Sequence, residues 1–520
     1  MSTPAAIAHA GGDTDAGLRG QLALGVSILA FVNLVVVSLA EPLPAPGSTG
    51  VLRMGLATLV LVVTGAPIAR RAWTAPRRGA LAGDAFALGA ALLSFAVGLL
   101  EIAFASRGAP SPPRLLGLLG FHQAAWQQAV PWGFEACAAV LIAAAVGRQC
   151  AAALRRHARR ELFARDAARR GAEAPAALDF AGMARALDLV RAAGNGASRL
   201  QWSDVAARAL TVATFGFAAL ALVAHGWLGR GLLSPYALFA ACAVLATIAP
   251  HHASAAAAAR TLAILRAATG GVVVNELAAL EALAGVDLVL IDLSFAPDFD
   301  DVLARCAERA ARGLWNRGIA IRIFTGDPRG RATPLAEHLG VPAARGLTPA
   351  ERALALRDLQ REGACVLVVG GGWSNGRADV TITVDSRDRR APEAGPSADP
   401  ESRSPTSARR AGDPGTGRHV DHGSAPSLVL TDARLDRLPA LIDLARALRG
   451  RLRENAALAT LHHALLLPPA VIGAIAPAQA AALAALTTLL AVGNAARMLR
   501  GERPAELAPE PAPSSPPPSG

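Results

Sequence analysis

Two apolar runs of the sequence end in residues that could handle a phosphate group. The run "VDLVLID" (286–292) ends in Asp292, and the run "IAIRIFTGD" (319–327) ends in Thr325, Gly326 and Asp327. Short apolar runs followed by turn residues predict buried strands of an α/β sheet, and such sheets bind ligands at the carboxyl ends of their strands. The plainer alternative is that Asp292 and Thr325 only cap the turns that follow them.

A third run, "ACVLVVGGG" (364–372), has the same form but continues into "WSNG" (373–376) without a carboxylate. Phosphoryl transfer uses Mg²⁺ held by carboxylates, which this stretch lacks. Helix-like stretches at 299–316 and 349–361 separate the three runs. The sequence therefore predicts a doubly wound sheet with its site at the strand ends.

Two pairs of adjacent histidines and one glutamate lie in apolar stretches long enough for membrane helices. They are His251, His252, His462, His463 and Glu135. Ionisable side chains are costly at membrane depth, and imidazole suits Zn²⁺ or a similar transition-metal ion, so these five are candidate metal ligands. The alternatives are hydrogen bonds between helices for the histidines, and an ion pair with an arginine such as Arg114 for Glu135.

The composition of the 520-residue chain is that of a polytopic membrane protein. Hydrophobic residues make up 52%, and all the basic residues behind the net charge of +11 are arginines, because the sequence contains no lysine. The arginines gather beside apolar runs, a pattern that orients membrane helices and does not indicate nucleic-acid binding. The five cysteines form no CxxC pair, and no cleavable signal peptide is expected at the start. The lipid bilayer is the expected partner.

Eight apolar runs predict eight spans, so the expected fold class is an α-helical polytopic membrane bundle with a cytoplasmic α/β domain. The spans are 21–40, 54–69, 81–104, 129–147, 208–229, 235–257, 457–475 and 477–497. Four arginines lie in 69–79 and eight in 148–170, against two in 105–128. By the positive-inside rule, the protein lies in the cell (inner) membrane with both termini in the cytoplasm.

These spans divide the sequence into seven regions. The expected order is a cytoplasmic tail (1–20), helices 1 to 4 (21–147), a small cytoplasmic insertion (148–207), helices 5 and 6 (208–264), the α/β domain (265–455), helices 7 and 8 (456–498) and a Pro-rich tail (499–520). The polar segment 386–426 inside the α/β domain has too little apolar surface to fold, and we expect it and the tail to be disordered.

This order of parts resembles the heavy-metal (type IB) cation-transporting P-type ATPases, which have eight spans, an actuator domain after the fourth span and a haloacid-dehalogenase-like (Rossmannoid) phosphorylation domain after the sixth. The stretch "FEACAAV" (134–140) is similar to the family's fourth span, and "LATIAPHH" (245–252) to its sixth. The metal motif of that sixth span, cysteine-proline-cysteine, reads Ala249-Pro250-His251 here. The resemblance implies that 148–207 is the remnant of an actuator domain.

The resemblance also assigns roles in the α/β domain. "LVLID" (288–292) looks like the approach to the phosphorylated aspartate, which would be Asp292, and "IFTGD" (323–327) and "LTPAER" (347–352) follow in the family's order. Thr325, Gly326, Asp327 and Arg352 are then the family-equivalent positions of the catalytic site.

Several family motifs are altered. The family's DKTGT reads "DLSF" (292–295), its later lysine is Arg352, and its GDGxND reads "GGGWSN" (370–375). Only 32 residues separate Asp292 from Thr325, where the family inserts a nucleotide-binding domain, and 148–207 contains no TGE sequence. The sequence therefore predicts a degenerate homologue, a pseudoenzyme that is not expected to use Mg²⁺ and ATP.

The sequence leaves three functions open. The first is a pseudoenzyme that binds a metal cation or a partner protein, the second a working cation-transporting ATPase, and the third a passive metal permease. We expect His251 to approach His462 or His463 and to bind Zn²⁺ in preference to copper(I), because no thioether ligand accompanies these histidines.

Overall fold

The structure of the chain, a computed structural model, describes most of the residues with predicted roles. It describes residues 4–40, 48–74, 83–105, 133–171, 202–227, 235–248, 251–292, 301–325, 333–345, 347–370, 378–384, 427–430 and 434–499. The predicted disordered segment 386–426 lies outside these residues, as does nearly all of the tail 499–520. The chain divides into two compact units, one of Met1–Glu161, Val190–Leu265 and Ala447–Gly520, the other of Leu162–Leu189 and Arg266–Arg446.

The helices are rich in Ala, Leu and Val, which favour helix or tolerate it in apolar surroundings. In chain order they are α1 (Pro4–Ala40), α2 (Ser48–Val60), α3 (Ala66–Thr74), α4 (Gly83–Ala105), α5 (Gly133–Gly171), α6 (Trp202–His225), α7 (Pro235–Ala246), α8 (His251–Thr269), α9 (Leu277–Ala282), α10 (Asp301–Trp315), α11 (Thr333–Leu339), α12 (Pro349–Arg361), α13 (Leu438–Val471) and α14 (Pro477–Ala496). A π-helical turn, Leu61–Gly65, joins α2 to α3.

Four stretches of these helices are long and apolar enough to cross a membrane. They are Leu18–Ser38, Thr49–Arg70, Gly133–Leu154 and Pro477–Leu499. Three shorter apolar helices are Ala85–Leu100, Ala209–His225 and Ala237–Ala246. The chain is a membrane protein with helical spans, and the full number of eight stays a prediction.

The predicted sixth span, 235–257, is interrupted. Helix α7 ends at Ala246 and α8 begins at His251, and the sequence has Pro250 between them. Proline has no backbone N–H and cannot donate to the carbonyl one turn before it, so a helix opens at this point. The interruption leaves carbonyl groups at the end of α7 that need other donors.

The second unit contains a seven-stranded sheet. Its strands are β1 (Val272–Val274), β2 (Leu288–Asp292), β3 (Ala320–Thr325), β4 (Ala343–Arg345), β5 (Val366–Val369), β6 (Val380–Val384) and β7 (Ser427–Leu430), in the order β1-β7-β6-β5-β2-β3-β4. All neighbours are parallel except β1 and β7. The predicted α/β sheet is confirmed: β2, β3 and β5 lie within the three predicted runs, and α12 has the predicted bounds.

Strand β2 lies inside the sheet, between β3 and β5. From β2 the chain continues outward to β3 and β4 on one side and later to β5, β6 and β7 on the other. The carboxyl end of β2 is therefore a topological switch point, the place where open α/β sheets form a ligand crevice. Asp292 is the last residue of β2.

Gly370 follows β5 and lies against the end of β2. Its φ of +143° is strained for other residues, and an added Cβ would lie 2.6 Å from the carbonyl oxygen of Asp292. We expect Gly370→Ala to destabilise the α/β unit by about 2 to 4 kcal/mol, because backbone strain and overpacking add. Hydrogen exchange of β2 and β5 in the full chain measures this loss.

The matched control for this prediction is Gly363→Ala. Gly363 also has a positive φ, +92°, but an added Cβ there has nothing within 4 Å. Gly363→Ala therefore measures the effect of backbone strain without a steric clash. Equal loss of protection in the two variants would show that the close approach of Gly370 to Asp292 has no effect on the stability of the α/β unit.

Candidate functional site

Asp292 is fully buried at the carboxyl end of β2. Strands β2 and β3 are parallel, with Asp292 opposite Phe324, so the backbone of Thr325 is one residue further along the neighbouring strand. The fold thus brings Asp292 and Thr325 to the same edge of the sheet. The side chain of Thr325 and the residues Gly326 and Asp327 lie outside the described part of the chain.

Arg352 forms an ion pair with Asp292. Its Nη1 atom donates to Asp292 Oδ2 at 2.6 Å, and the two side chains are only 12% and 0% exposed. A hydrogen bond between two charged groups in such surroundings is short and strong. The two predicted site residues that are 60 positions apart in the sequence therefore meet in the structure.

Helix α12 holds Arg352 in this position. Leu356 and Leu359 of α12 belong to a buried apolar cluster with residues of β2 and β5. Arg352 precedes Leu356 by one turn, so it lies on the face of the helix that packs on the sheet.

The first turn of α12 is fixed by a capping box, in which the Thr348 hydroxyl accepts from the backbone N–H of Glu351 and the Glu351 carboxylate accepts from that of Thr348. Hydrogen bonds from the backbone and the hydroxyl of Thr348 lower the pKa of Glu351. The cap is therefore ionised at neutral pH and anchors the helix that carries Arg352.

The ion pair decides what this site can do. Phosphoryl transfer to an aspartate needs a carboxylate oxygen that can attack, with Mg²⁺ beside it. Here a guanidinium nitrogen lies 2.6 Å from a carboxylate oxygen of Asp292, the group that would have to bind the metal. Because the guanidinium keeps its positive charge at all ordinary pH values, it repels a second cation. Among the described residues at this end of the sheet, the carboxylate of Asp292 is thus already paired with a cation.

A second buried ion pair lies in the helical unit, between Glu135 of α5 and Arg53 of α2. Arg53 Nη2 lies 2.9 Å from Glu135 Oε1 and 3.0 Å from Oε2, and Arg53 Nε lies 3.1 Å from Oε1. The hydroxyl of Ser38, in α1, also donates to Oε1. Glu135 is fully buried. Its carboxylate therefore links α5 to α1 and α2, and it is already paired with the positive charge of Arg53.

This pair agrees with the alternative that Glu135 pairs with an arginine. The sequence suggested Arg114 as the kind of arginine that could pair with Glu135, but Arg114 lies outside the described residues and the observed partner is Arg53. Arg53 could have been found from the sequence, because it is the one charged residue at the start of an apolar run and such residues need a partner. The pairing of Ser38 with Glu135, 97 positions apart, has no comparable signal.

His462 of α13 contacts the backbone just after α7 and a side chain of α14. Its Nε2 atom lies 3.1 Å from the carbonyl oxygen of Thr247, just after α7, and its Nδ1 atom 3.0 Å from the hydroxyl of Thr487 in α14. A carbonyl oxygen only accepts, so Nε2 carries the proton. The single hydroxyl proton of Thr487 can go either to Nδ1 or to the carbonyl oxygen of Leu483, which lies 2.9 Å away. His462 thus supplies a donor to a carbonyl that the interrupted helix leaves open.

His463 lies beside His462, with ring centroids 5.2 Å apart, and makes a different bond. Its Nδ1 atom donates to the carbonyl of Ala459 one turn earlier, at 2.8 Å, which puts the lone pair of the ring on Nε2. Both histidines are buried.

The other histidine pair opens α8, but the side chains of His251 and His252 lie outside the described part. His462 contacts residue 247, four positions before His251 in the sequence. Among the described side chains, no group of three or more His, Cys, Asp or Glu residues is arranged to hold a metal ion. The described geometry thus places His462 against the backbone of residue 247, and the approach of His251 to His462 or His463 stays a prediction.

Comparison with known proteins gives relatives for part of the chain. No protein-family model matches it. The chain is 30% identical over 192 residues to the nitrogen fixation protein FixI of Bradyrhizobium diazoefficiens, which covers 37% of this chain and 23% of that protein. It is 26% identical over 203 residues to the cation-transporting P-type ATPase B of Mycobacterium tuberculosis, covering 38% and 23%. The chain thus spans about a quarter of the length of these relatives.

A crystal structure of a zinc-transporting PIB-type ATPase in the E2.Pi state has a similar fold. It superposes with a TM-score of 0.50 over 93% of this chain, at 15% sequence identity. At this identity the likeness concerns the fold alone. Over the matched part the chain is similar in sequence to heavy-metal P-type ATPases, and its fold is similar to that of a PIB-type ATPase.

Proposed function

We propose that this chain is a membrane homologue of the metal-transporting ATPases in which the α/β unit no longer forms a phosphoenzyme. The observation that carries the proposal is the ion pair between Arg352 and the fully buried Asp292. The pair occupies the position that the resemblance assigns to the phosphorylated aspartate. The α/β unit then serves as a folded part of a metal-binding or partner-binding protein.

The loss of activation free energy expected from the altered residues supports the proposal that no phosphoenzyme forms. Removing one transition-state contact costs an enzyme about 3 to 4 kcal/mol of barrier. Here the changes combine: Leu293 follows the aspartate where the family has lysine, Gly371 stands in a stretch without carboxylates, and 32 residues replace the nucleotide-binding insertion. Arg352 adds a competitor for the carboxylate itself. Such losses together leave little catalysis.

The remaining architecture belongs to the same proposal. The haloacid-dehalogenase-like phosphorylation domain of 265–455, the eight spans, the actuator remnant at 148–207 and the cytoplasmic location of both termini follow from the resemblance and the arginine distribution. The metal cation would be bound as a ligand or substrate in the helical unit. A protein partner would dock on the cytoplasmic regions.

We expect no phosphoenzyme when the purified full chain is given radiolabelled ATP with Mg²⁺. The reason is that Asp292 is held by Arg352 and lacks a second carboxylate nearby in the matching motif. The measurement is acid-stable label that hydroxylamine releases. Label of this kind that disappears in Asp292→Asn would contradict the proposal and favour the alternative, an active ATPase that exports a transition-metal cation.

The Arg352–Asp292 pair should act as a structural contact. We expect Arg352→Met to destabilise the α/β unit by about 3 to 5 kcal/mol, because it leaves a buried carboxylate without its countercharge. The double change Arg352→Met with Asp292→Leu should recover most of that loss, since an apolar pair of similar size needs no countercharge. Denaturant titration followed by hydrogen exchange of β2 in the full chain measures both. A loss below 1 kcal/mol for Arg352→Met would contradict this role.

A specific observation also favours metal binding in the helical unit. His462 meets the open end of α7, next to the slot where the sequence places His251. Two imidazoles bind a metal weakly, so a third ligand or water would complete the site. Zn²⁺ suits this ligand set better than copper(I), and a passive permease would use the same residues.

We expect His251→Ala, and separately the double change His462→Ala with His463→Ala, each to weaken Zn²⁺ binding by at least tenfold in the purified full chain. Equilibrium dialysis against Zn²⁺ gives the affinity and stoichiometry. The matched control is His338→Ala, an exposed histidine of the α/β unit that should leave binding unchanged. Unchanged Zn²⁺ binding in both helical-unit variants would reduce these histidines to packing residues.

A further inference from the structure

A surface groove lies on the helical unit where α2 passes into α3. It has a volume of about 450 Å³ and is lined by Val62, Val63, Ala66, Pro67 and Arg70. This volume falls within the range of about 300 to 1,000 Å³ of small-molecule sites. Four of its five lining residues are apolar and one is basic, so the groove would suit a ligand with an apolar part and an anionic end.

The local backbone forms the groove. The π-helical turn Leu61–Gly65 is wider than an α-helical turn, and it comes just before Pro67, which has no N–H to donate to the carbonyl one turn earlier. Such π turns occur often at functional sites.

The opposite face of this segment is packed. Thr64 is buried and its hydroxyl lies 2.5 Å from that of Ser27 in α1, and Ile68 is fully buried. Val62, by contrast, is 60% exposed. The groove face is therefore turned away from the contact with α1.

The groove lies at one end of a candidate membrane span. That span runs from Thr49 to Arg70, so Arg70 marks its last residue. The sequence has three more arginines in the next eight residues, at 71, 77 and 78. The positive-inside rule predicts that this end faces the cytoplasm, where the membrane surface carries anionic lipids.

We propose that this groove binds an anionic phospholipid. The phosphate of the headgroup contacts the guanidinium of Arg70, and the upper part of an acyl chain lies along Val62, Val63, Ala66 and Pro67. Charge complementarity selects this occupant: the groove lies at the end of an apolar span, and the charged group among its described lining residues is a cation at the height of the headgroups. A guanidinium pairs with phosphate oxygens in a two-pronged hydrogen bond.

The experiment counts lipids retained by the full chain in native mass spectrometry after titration with phosphatidylglycerol or phosphatidylcholine. Wild type should retain phosphatidylglycerol in preference to phosphatidylcholine. Arg70→Gln should weaken retention at least tenfold, because it removes the positive charge that strengthens the hydrogen bonds to the phosphate. Val62→Trp, a change at an exposed position that fills the groove, should weaken it as well, with the fold of each variant checked by thermal melting.

The matched control is Arg19→Gln. Arg19 is exposed and is the second residue of the candidate span Leu18–Ser38. The sequence places this end of the span on the same side of the membrane as Arg70, but Arg19 is not among the residues that line the groove. It should change retention by less than twofold. Equal losses in Arg19→Gln and Arg70→Gln, unchanged retention in Val62→Trp, or displacement of the lipid by inorganic phosphate would each overturn the proposal.

Discussion

The burial of two carboxylates imposes the main physical constraint on this chain. Asp292 in the α/β unit and Glu135 in the helical unit are both fully buried. An ionised carboxylate removed from water costs several kcal/mol unless an opposite charge and hydrogen bonds compensate it. Each of the two meets an arginine from a distant part of the sequence, Arg352 and Arg53. The packing of α12 on the sheet, and of α1 and α2 on α5, must keep these contacts in place.

Both ion pairs use arginine, whose positive charge is permanent at ordinary pH. The chain contains no lysine, so every fixed positive charge is a guanidinium that stays protonated. Arg53 binds Glu135 through two nitrogens and both carboxylate oxygens. A divalent cation that binds either carboxylate must therefore displace a tethered charge that does not leave on its own.

The sequence predicted the parts of this structure that depend on local pattern. Apolar runs followed by turn residues located β2, β3 and β5, and the helix-like stretch 349–361 located α12. Pairing across the chain could not be read in the same way. Arg352 was assigned to the site by the resemblance, but neither its contact with Asp292 nor that of Ser38 with Glu135 follows from spacing, because such contacts depend on how helices and strands pack. Short strands such as β1 and β4 carry too few residues for a clear pattern.

The two histidines of α13 donate hydrogen bonds to backbone carbonyls in different places of the helical unit. Nε2 of His462 donates to the carbonyl of Thr247, which the interruption after α7 leaves open. An ion that took this nitrogen would leave that carbonyl without its donor, at a cost of about 1 to 3 kcal/mol. Metal-bound histidines usually donate their other ring N–H to a backbone carbonyl, which is what Nδ1 of His463 does toward Ala459. Nε2 of His462 does the same toward Thr247, so either ring could bind an ion through its other nitrogen and keep its bond to the backbone.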